Sequence, residues 1–216
     1  MLYQIFDKNS GRYFYLFVGI KGLISDGNSL RDALRVHTPD QLSVSLSPEE
    51  VEGMKAFLDD PFEMNLSDFD IVYGLRLSVY GEIMTPSPCY IEIIKYAKDN
   101  NIPIEALDLN EYDFSRAYTR NVKTFTLIRH SMRKKKIMKM DLKDTSAEDF
   151  VIKWNNEVNR IKGIGRVEKL RSEYVANSLL RENLKGKRHF AYIDLEFLQD
   201  TRDVLEKNGY RLEKVL

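Results

Sequence analysis

Leu42-Ser43-Val44-Ser45-Leu46-Ser47-Pro48-Glu49-Glu50 is the stretch that decides the fold class. Its first five residues alternate apolar and polar side chains, a pattern typical of a β-strand. Ser47 can cap a helix, Pro48 suits the first helical position, and two acids suit the positive end of a helix dipole. The stretch therefore predicts a strand that leads directly into a helix, the repeating unit of α/β proteins.

The flanking sequence continues this alternation in both directions. Aromatic-rich runs at 2–6 and 13–19 surround a turn at 7–11, which predicts a β-hairpin. Three further short strands are predicted at 102–107, 190–193 and 210–215. We therefore predict an α/β fold with a mixed central sheet flanked by helices.

Helices are predicted where apolar residues recur at steps of three and four. Asn28 or Ser29 is expected to cap a helix after the loop through Gly27, and Ser67 and Thr145 or Ser146 are expected to cap two others. The side chains predicted to face inward from these three helices and the one after Ser47 are Leu30, Leu34, Val36, Val51, Met54, Phe57, Leu58, Ile71, Val72, Leu75, Val79, Phe150, Trp154, Val158 and Ile161.

Residues 111–185 contain almost no strand pattern. We predict that they form a mainly helical part packed on the sheet, within a single domain spanning 1–216. Gly163-Ile164-Gly165 is expected to break this part. The basic segment of this helical part, residues 116–143, has apolar residues at helical steps, which predicts one apolar face opposite a cationic face. These apolar residues are Tyr118, Val122, Phe125, Ile128 and Met132.

The charges are distributed unevenly, although the chain has a formal net charge of zero. Residues 1–115 contain nine Lys and Arg against 19 Asp and Glu, whereas residues 116–143 contain ten Lys and Arg against one acid, Asp141. This asymmetry indicates either an anionic partner for the basic segment or a clamp between two parts of one fold.

Composition narrows the class of protein. A hydrophobic content of 43% with 31% charged residues is typical of a folded globular chain. The single cysteine, Cys89, cannot form an internal disulfide, which favours a reducing, cytoplasmic location. No apolar run approaches the roughly 18 residues that a membrane-spanning helix requires, so we predict no membrane segment.

Four blocks, in order, cover nearly the whole chain: the strand at 13–19 with its loop to Ser29, the stretch 38–46, the helix and strand at 90–108, and the helix at 168–176 followed by 205–210. Their sequences include Thr38-Pro39-Asp40-Gln41-Leu42-Ser43-Val44-Ser45-Leu46, Ile104-Glu105-Ala106-Leu107-Asp108 and Glu168-Lys169-Leu170-Arg171. In this order they resemble the TraB/pheromone-shutdown and Tiki-like superfamily. The resemblance implies an α/β domain in which strands from the two ends of the chain are neighbours.

The resemblance also implies a hydrolase whose metal is held by strand-end histidines and a glutamate, and here the chain departs from the pattern. Gly22 and Phe197 stand where the histidines are expected, and Ser45 stands where the glutamate is expected. Glu50 replaces an expected arginine, and the three histidines, His37, His130 and His189, lie outside these motifs. We therefore expect no metal site and no cofactor.

The candidate catalytic residues are Glu82, Asp108, Glu168 and Arg171, and each has a structural alternative. Asp108 follows a strand, where open α/β sheets place their sites, but it could instead cap the segment at 110–112. Glu168 and Arg171 share a helix face, so they could hold a substrate carboxylate or another chain segment, or simply pair with each other. Glu82 lines a cleft or is a solvated loop acid.

The candidate anion-binding residues are Arg120, Arg133, Lys134, Lys135 and Lys136. Arg120 could instead clamp Asp108 or Glu82, and four consecutive cations also suit the negative end of a helix dipole. No DNA- or RNA-binding motif accompanies them, which argues against a nucleic-acid partner.

Together these features favour a binding or regulatory domain over a catalyst. Its partner would be an unknown protein or small-molecule ligand, and a homodimer remains open. One alternative is a hydrolase with carboxylate-based chemistry that uses Glu82, Asp108, Asp194 or Glu196. Another is an anion- or nucleic-acid-binding module that uses the basic helix.

Overall fold

The computed structural model describes residues 1–9, 11–183 and 188–215. Ser10 of the predicted turn, and 184–185 at the end of the predicted helical part, lie outside these ranges. The described strands are β1 (Leu2–Asp7), β2 (Tyr13–Gly19), β3 (Gln41–Val44), β4 (Ile104–Ala106), β5 (His189–Asp194) and β6 (Tyr210–Lys214).

These strands form one mixed sheet in the order β4-β3-β5-β2-β1-β6. The four strands β4, β3, β5 and β2 are parallel, whereas β1 is antiparallel to both of its neighbours. Strands from the two ends of the chain are adjacent, because β2 pairs with β5 and β1 pairs with β6. The predicted hairpin and mixed sheet are confirmed.

Within the described residues the sheet is accompanied by nine α-helices and one 3-10 turn, Leu195–Phe197. The helices are α1 (Ile24–His37), α2 (Pro48–Asp59), α3 (Asp68–Leu77), α4 (Pro88–Asp99), α5 (Glu111–Asn121), α6 (Thr124–Ile137), α7 (Ala147–Asn159), α8 (Lys162–Asn183) and α9 (Leu198–Lys207). None of the described helices is both long and apolar enough to span a lipid bilayer.

The sheet separates two hydrophobic cores. Helices α1, α2 and α4 bury Leu34, Val51 and Ile93 against one face. Helices α7, α8 and α9 bury Trp154 and Leu179, among others, against the opposite face. Successive side chains of a strand point to opposite faces, so each central strand contributes to both cores.

Three of the predicted helix caps, Ser47, Ser67 and Ser146, are confirmed. Ser47 begins α2 with a reciprocal capping box, in which its hydroxyl accepts the N–H of Glu50 and its own N–H is accepted by the Glu50 carboxylate. Ser67 forms the same arrangement at the start of α3. Ser146 caps α7 through the N–H of Asp149.

The predicted start of α1 is wrong, since the helix begins at Ile24 and neither Asn28 nor Ser29 caps it. Gly27 is therefore inside the helix. A Cβ at Gly27 would lie 2.4 Å from the Cβ of Pro88, so only glycine permits α1 to approach α4 this closely. Val36, predicted to face inward, is 76% exposed.

The predicted inner face of α3 is also wrong in part. Three of its residues are exposed: Ile71, Leu75 and Val79. Phe69 and Tyr73 face the core instead, with ring centroids 4.9 and 5.6 Å from that of Trp154. The aromatic contacts with Trp154 of α7 therefore fix which face of α3 turns inward.

The basic segment forms two helices, α5 and α6, and therefore lacks the single continuous apolar face that was predicted. The chain breaks at Val122, which packs with Ile164 and Val167, and α6 then begins at Thr124. The break changes the helical phase, so three of the residues predicted to be inward are exposed: Phe125, Ile128 and Met132.

The predicted break at Gly163 and Gly165 lies slightly too late in the sequence. The chain turns between Asn159 and Lys162, and both glycines belong to the first turn of α8.

Candidate functional site

The four parallel strands end at one edge of the sheet and bring polar residues together there. Asp108 follows β4, Ser45 follows β3, Asp194 ends β5, and Lys21 follows β2. The carboxyl ends of parallel strands are the usual location of a binding site in open α/β sheets. We therefore take this edge as the candidate site.

Asp194 is a buried carboxylate held by three hydroxyl groups. The Tyr192 hydroxyl donates to it at 2.8 Å, the Tyr90 hydroxyl donates to its Oδ2, and the Ser45 hydroxyl lies 3.4 Å from the same oxygen. The N–H of Asp194 in turn donates to the Ser45 Oγ at 3.1 Å. Burial raises the pKa of Asp194, while Lys21 and the tyrosine hydrogen bonds oppose that rise.

Arg171 of α8 joins Asp108 to Glu168. Its guanidinium donates two hydrogen bonds to Asp108 Oδ2, the one from Nε at 3.1 Å, and its Nη1 lies 3.2 Å from Glu168 Oε2. Burial raises the pKa of Glu168, and the nearby Arg171 partly offsets that rise. The sequence paired Glu168 with Arg171 but did not connect either of them to Asp108. Of the alternatives offered there, Arg171 binds another chain segment, and Asn110 rather than Asp108 caps α5.

A pocket of about 670 Å³ opens at this edge between α2, α3 and α7. Its lining is mostly apolar and includes six aromatic side chains, Phe57, Phe62, Phe69, Tyr73, Tyr90 and Trp154. The acidic and basic side chains in the lining are Lys21, Glu50, Asp70 and Glu196. A mostly apolar cavity with a few convergent polar groups is the usual form of a small-molecule site.

Glu196 is the least satisfied carboxyl group of the pocket. Its Oε2 is buried and has no hydrogen-bond partner among the described residues, and the same is true of Oγ of Ser87, which also lines the pocket. Burial, followed by the negative charge of Asp194, raises the pKa of Glu196 to about 7.

The residues at the expected metal-ligand positions do not fit a metal ion. Gly22 has no side-chain donor and adopts a φ of +106°, a conformation that disfavours a histidine. Ser45 is occupied with Asp194, and Phe197 is buried in the core. Among the described residues no group of three or more His, Cys, Asp and Glu side chains is arranged to bind a metal.

The three histidines are distributed over other parts of the molecule. The Nε2 of His189 lies 2.7 Å from Ser43 Oγ, and its ring stacks on Phe14. The His37 ring packs against Tyr15, with centroids 3.8 Å apart. His130 is in α6.

Two candidate residues lie apart from the pocket. Glu82 is exposed and is not among its lining residues. Arg120 is exposed on α5, and Arg171 rather than Arg120 is the partner of Asp108.

Cys89 is a thiol of the hydrophobic core. It is fully buried, and burial, with a smaller contribution from Asp26, raises its pKa well above the usual range.

The candidate anion-binding residues of α6 divide into two groups. Arg133 forms an ion pair with Glu157 of α7, and Lys134 Nζ lies 4.6 Å from the ring centroid of Phe69. Lys135 and Lys136 are exposed. The ion pair described for this basic segment therefore joins α6 to α7, which are two parts of one fold, and does not lead to the acidic first half.

Several residues of the site were missed from sequence. Tyr90 and Tyr192 were not recognised as partners of Asp194, nor Ser87 as part of a pocket. One signal was available: Tyr192 and Asp194 are two apart in a strand, which places both on the same face. No comparable pattern links Tyr90, which is 104 residues away from Asp194.

A scan of the chain against protein-family models found no match, and neither did a search of curated proteins. The resemblance to the TraB/pheromone-shutdown and Tiki-like superfamily therefore rests on the four sequence blocks described above.

Proposed function

We propose that this chain is a non-catalytic, degenerate TraB/Tiki-like domain that binds a small organic amine in the pocket between α2, α3 and α7. The ligand would place its apolar body against the aromatic lining and its amino group against Glu196.

The observation that carries this proposal is the pair of unsatisfied polar atoms in the pocket, Oε2 of Glu196 and Oγ of Ser87. A buried polar atom without a hydrogen bond destabilises the protein by about 1–3 kcal/mol, so such atoms usually have a partner. An ammonium group carries three N–H donors, so it can supply the hydrogen bond that the Glu196 carboxylate lacks. The rest of the lining then accommodates the hydrocarbon part of the ligand.

The charge balance of the lining favours a cation. Three acids, Glu50, Asp70 and Glu196, stand against one base, Lys21. Glu50 and Asp70 already accept hydrogen bonds from helix caps, which leaves Glu196 as the acid available for a ligand. Aromatic rings also attract cations through their faces.

One observation supports the kinship, and another argues against the activity that the kinship implies. The adjacency of β1 with β6 and of β2 with β5 agrees with what the resemblance implies. Gly22, Ser45 and Phe197, at the positions of the expected metal ligands, offer no set of donors suited to a divalent ion. These replacements favour binding over the metal-dependent hydrolysis that the resemblance implies.

Calorimetric titration with 2-phenylethylamine, and with 2-phenylethanol as the neutral analogue, tests the proposal. We expect the amine to bind and the alcohol to bind at least tenfold more weakly. Glu196→Gln should weaken amine binding by a similar factor, whereas Glu82→Gln, outside the pocket, should leave it unchanged. Affinity should rise as the pH passes through 7, because the ionised carboxylate is the form that pairs with the ammonium group.

Equal affinity for the two probes, or unchanged binding by Glu196→Gln, would contradict the proposal. Amide shifts in the NMR spectrum give the location independently, because binding in the pocket must perturb the residues around Trp154.

The second candidate is a hydrolase that uses carboxylate chemistry, and one observation favours it. A pKa of about 7 is well suited to a general base that activates water near neutral pH. Turnover of a panel of esters and amides that depends on Glu196, and that Glu82→Gln leaves intact, would favour this function over simple binding.

A further inference from the structure

Helix α6 presents an unpartnered face that is both apolar and basic. Its apolar side chains Phe125, Ile128 and Met132 are 70%, 54% and 59% exposed. These residues recur at steps of three and four, so they lie along one line of the helix surface. We call this surface, with the neighbouring cations Arg129, Lys135 and Lys136, the outer face of α6.

The opposite side of α6 is fixed to the protein. Ile137 is buried in the core, Arg133 pairs with Glu157, and Lys134 lies over the ring of Phe69. The outer face therefore cannot turn inward without breaking these contacts, and its exposure is a consequence of the fold.

A cationic cleft of about 360 Å³ adjoins the outer face where α6 meets the turn between α7 and α8. It is lined by Arg129, Met132, Arg133, Lys136, Arg160 and Ile161. Glu157 partly compensates two of these cations, since it pairs with Arg133 and lies 3.6 Å from Arg160. Arg129 and Lys136 have no acidic partner among the described residues.

The sequence supplies no nearby counter-charge, because it contains no acid between Asp113 and Asp141. Exposed apolar side chains beside uncompensated cations match the boundary of an anionic lipid layer. There, apolar groups enter the acyl region while Lys and Arg extend to the headgroups.

Other occupants explain fewer of these observations. A nucleic acid would use the cations but would leave Ile128 and Met132 without a partner, because its backbone is polar. In a second copy, the exposed apolar face of α3 could meet this surface, but the acids of α3 are Asp68 and Asp70, and Asp70 is engaged with Ser67. That face cannot balance the cations of the outer face.

We propose that the outer face of α6 docks the protein on anionic membrane surfaces, with Phe125, Ile128 and Met132 inserted at the interface and a lipid phosphate in the adjoining cleft. The docking is peripheral and independent of the pocket between α2, α3 and α7.

Co-sedimentation with vesicles tests this inference. We expect the protein to sediment with vesicles of phosphatidylcholine mixed with phosphatidylglycerol, to remain in solution with phosphatidylcholine alone, and to dissociate as salt is raised. Lys135→Glu with Lys136→Glu should reduce partitioning by roughly tenfold or more. Phe125→Ser with Met132→Ser should reduce it by a similar factor.

Matched variants control for general effects of charge and hydrophobicity. Arg35→Glu with Lys95→Glu reverses two exposed cations elsewhere, and Val36→Ser removes an exposed apolar side chain from α1. Both should sediment like the unmodified chain. Thermal melts followed by circular dichroism establish that every variant is folded.

Three outcomes would overturn the inference. The first is no sedimentation with the anionic vesicles, or equal sedimentation of the control and the α6 variants. The second is tighter binding to a polynucleotide than to the vesicles, lost in the charge variants but retained in Phe125→Ser with Met132→Ser. The third is a dimer, seen by analytical ultracentrifugation, that dissociates in the variant Phe125→Ser with Met132→Ser. That result would assign this face to a second copy.

Discussion

Arg171 shows how a buried charge network can close the carboxyl edge of a sheet without a ligand. Its side chain is 26% exposed and that of Asp108 only 2%. The guanidinium also lies 5.8 Å from the ring of Phe114 and 5.6 Å from that of Phe197, so aromatic groups surround the pair. Arginine suits this position because it forms planar, paired hydrogen bonds and stacks on rings. The network links α8 to the end of β4.

Glu196 differs from that network because none of the described residues donates to its Oε2. Its pKa is raised to about 7 in the folded protein from a usual value of 4.5. The folded state therefore binds more protons than the unfolded state between these values. Its contribution to stability is complete below about pH 4.5 and is lost as the pH rises through about 7.

We predict that Glu196→Gln removes this pH dependence. Relative to the unmodified protein, the free energy of unfolding of the variant should increase by roughly 2 kcal/mol between about pH 5 and about pH 8. Urea denaturation at each pH measures it. Glu82→Gln is the matched control, because Glu82 is exposed. A difference between Glu196→Gln and the unmodified protein that stays constant over this range would mean that the carboxyl group is solvated.

At the scale of single elements, the first residue of α2 is set by hydrogen bonds within its own first turn, whereas the first residue of α1 is set by packing against the rest of the fold. Ser47 and Glu50 exchange hydrogen bonds across the first turn of α2, at 3.1 and 2.8 Å. The helix α1 instead begins at Ile24 after Leu23, which forms no side-chain cap, and Ser29 lies more than one turn inside the helix. Thus Ser47 caps a helix, whereas Ser29, also a residue type that favours helix caps, does not.

We predict opposite consequences for two serine-to-alanine changes. Ser47→Ala should lower the free energy of unfolding by about 1 kcal/mol, because it removes the cap of α2. Ser29→Ala should change it by less than about 0.5 kcal/mol, since alanine is favoured inside a helix. Chemical denaturation of both variants provides the measurement. The reverse order would place the start of α1 near Ser29.

The strands and capped helices could be predicted because their signals lie within a few residues of each other. The faces of α3 and α6 could not, since Trp154 and Val122 set their orientation through contacts that are distant in sequence. The same distinction holds for the site. Glu168 and Arg171 are one helical turn apart and were predicted together, whereas Tyr90 reaches Asp194 only through the packing of α4 on β5.

At the scale of the whole molecule, the sheet is shared by two cores. Leu16 and Phe17 are neighbours in β2 but belong to different cores. The chain contains a single tryptophan, Trp154, and it lies in the core formed with α7, α8 and α9. Its fluorescence therefore reports on one side of the sheet, while circular dichroism reports on all the helices.

We predict that damage to either core destabilises the whole chain as one unit. Leu34→Ala, on the side of the sheet away from Trp154, and Leu179→Ala, on the same side, should each lower the free energy of unfolding by about 2–5 kcal/mol. In both variants the transitions seen by Trp154 fluorescence and by circular dichroism should coincide. Val36→Ala should have little effect, because Val36 is exposed.

The informative variant is Leu34→Ala, because its cavity is separated from Trp154 by the sheet. Each central strand has side chains in both cores, so loosening one side removes support from the strands that the other side requires. The fluorescence midpoint should therefore move to lower urea together with the circular dichroism midpoint. If fluorescence kept its original midpoint while circular dichroism lost part of its signal earlier, the two cores would unfold separately and residues 111–183 would behave as a distinct unit.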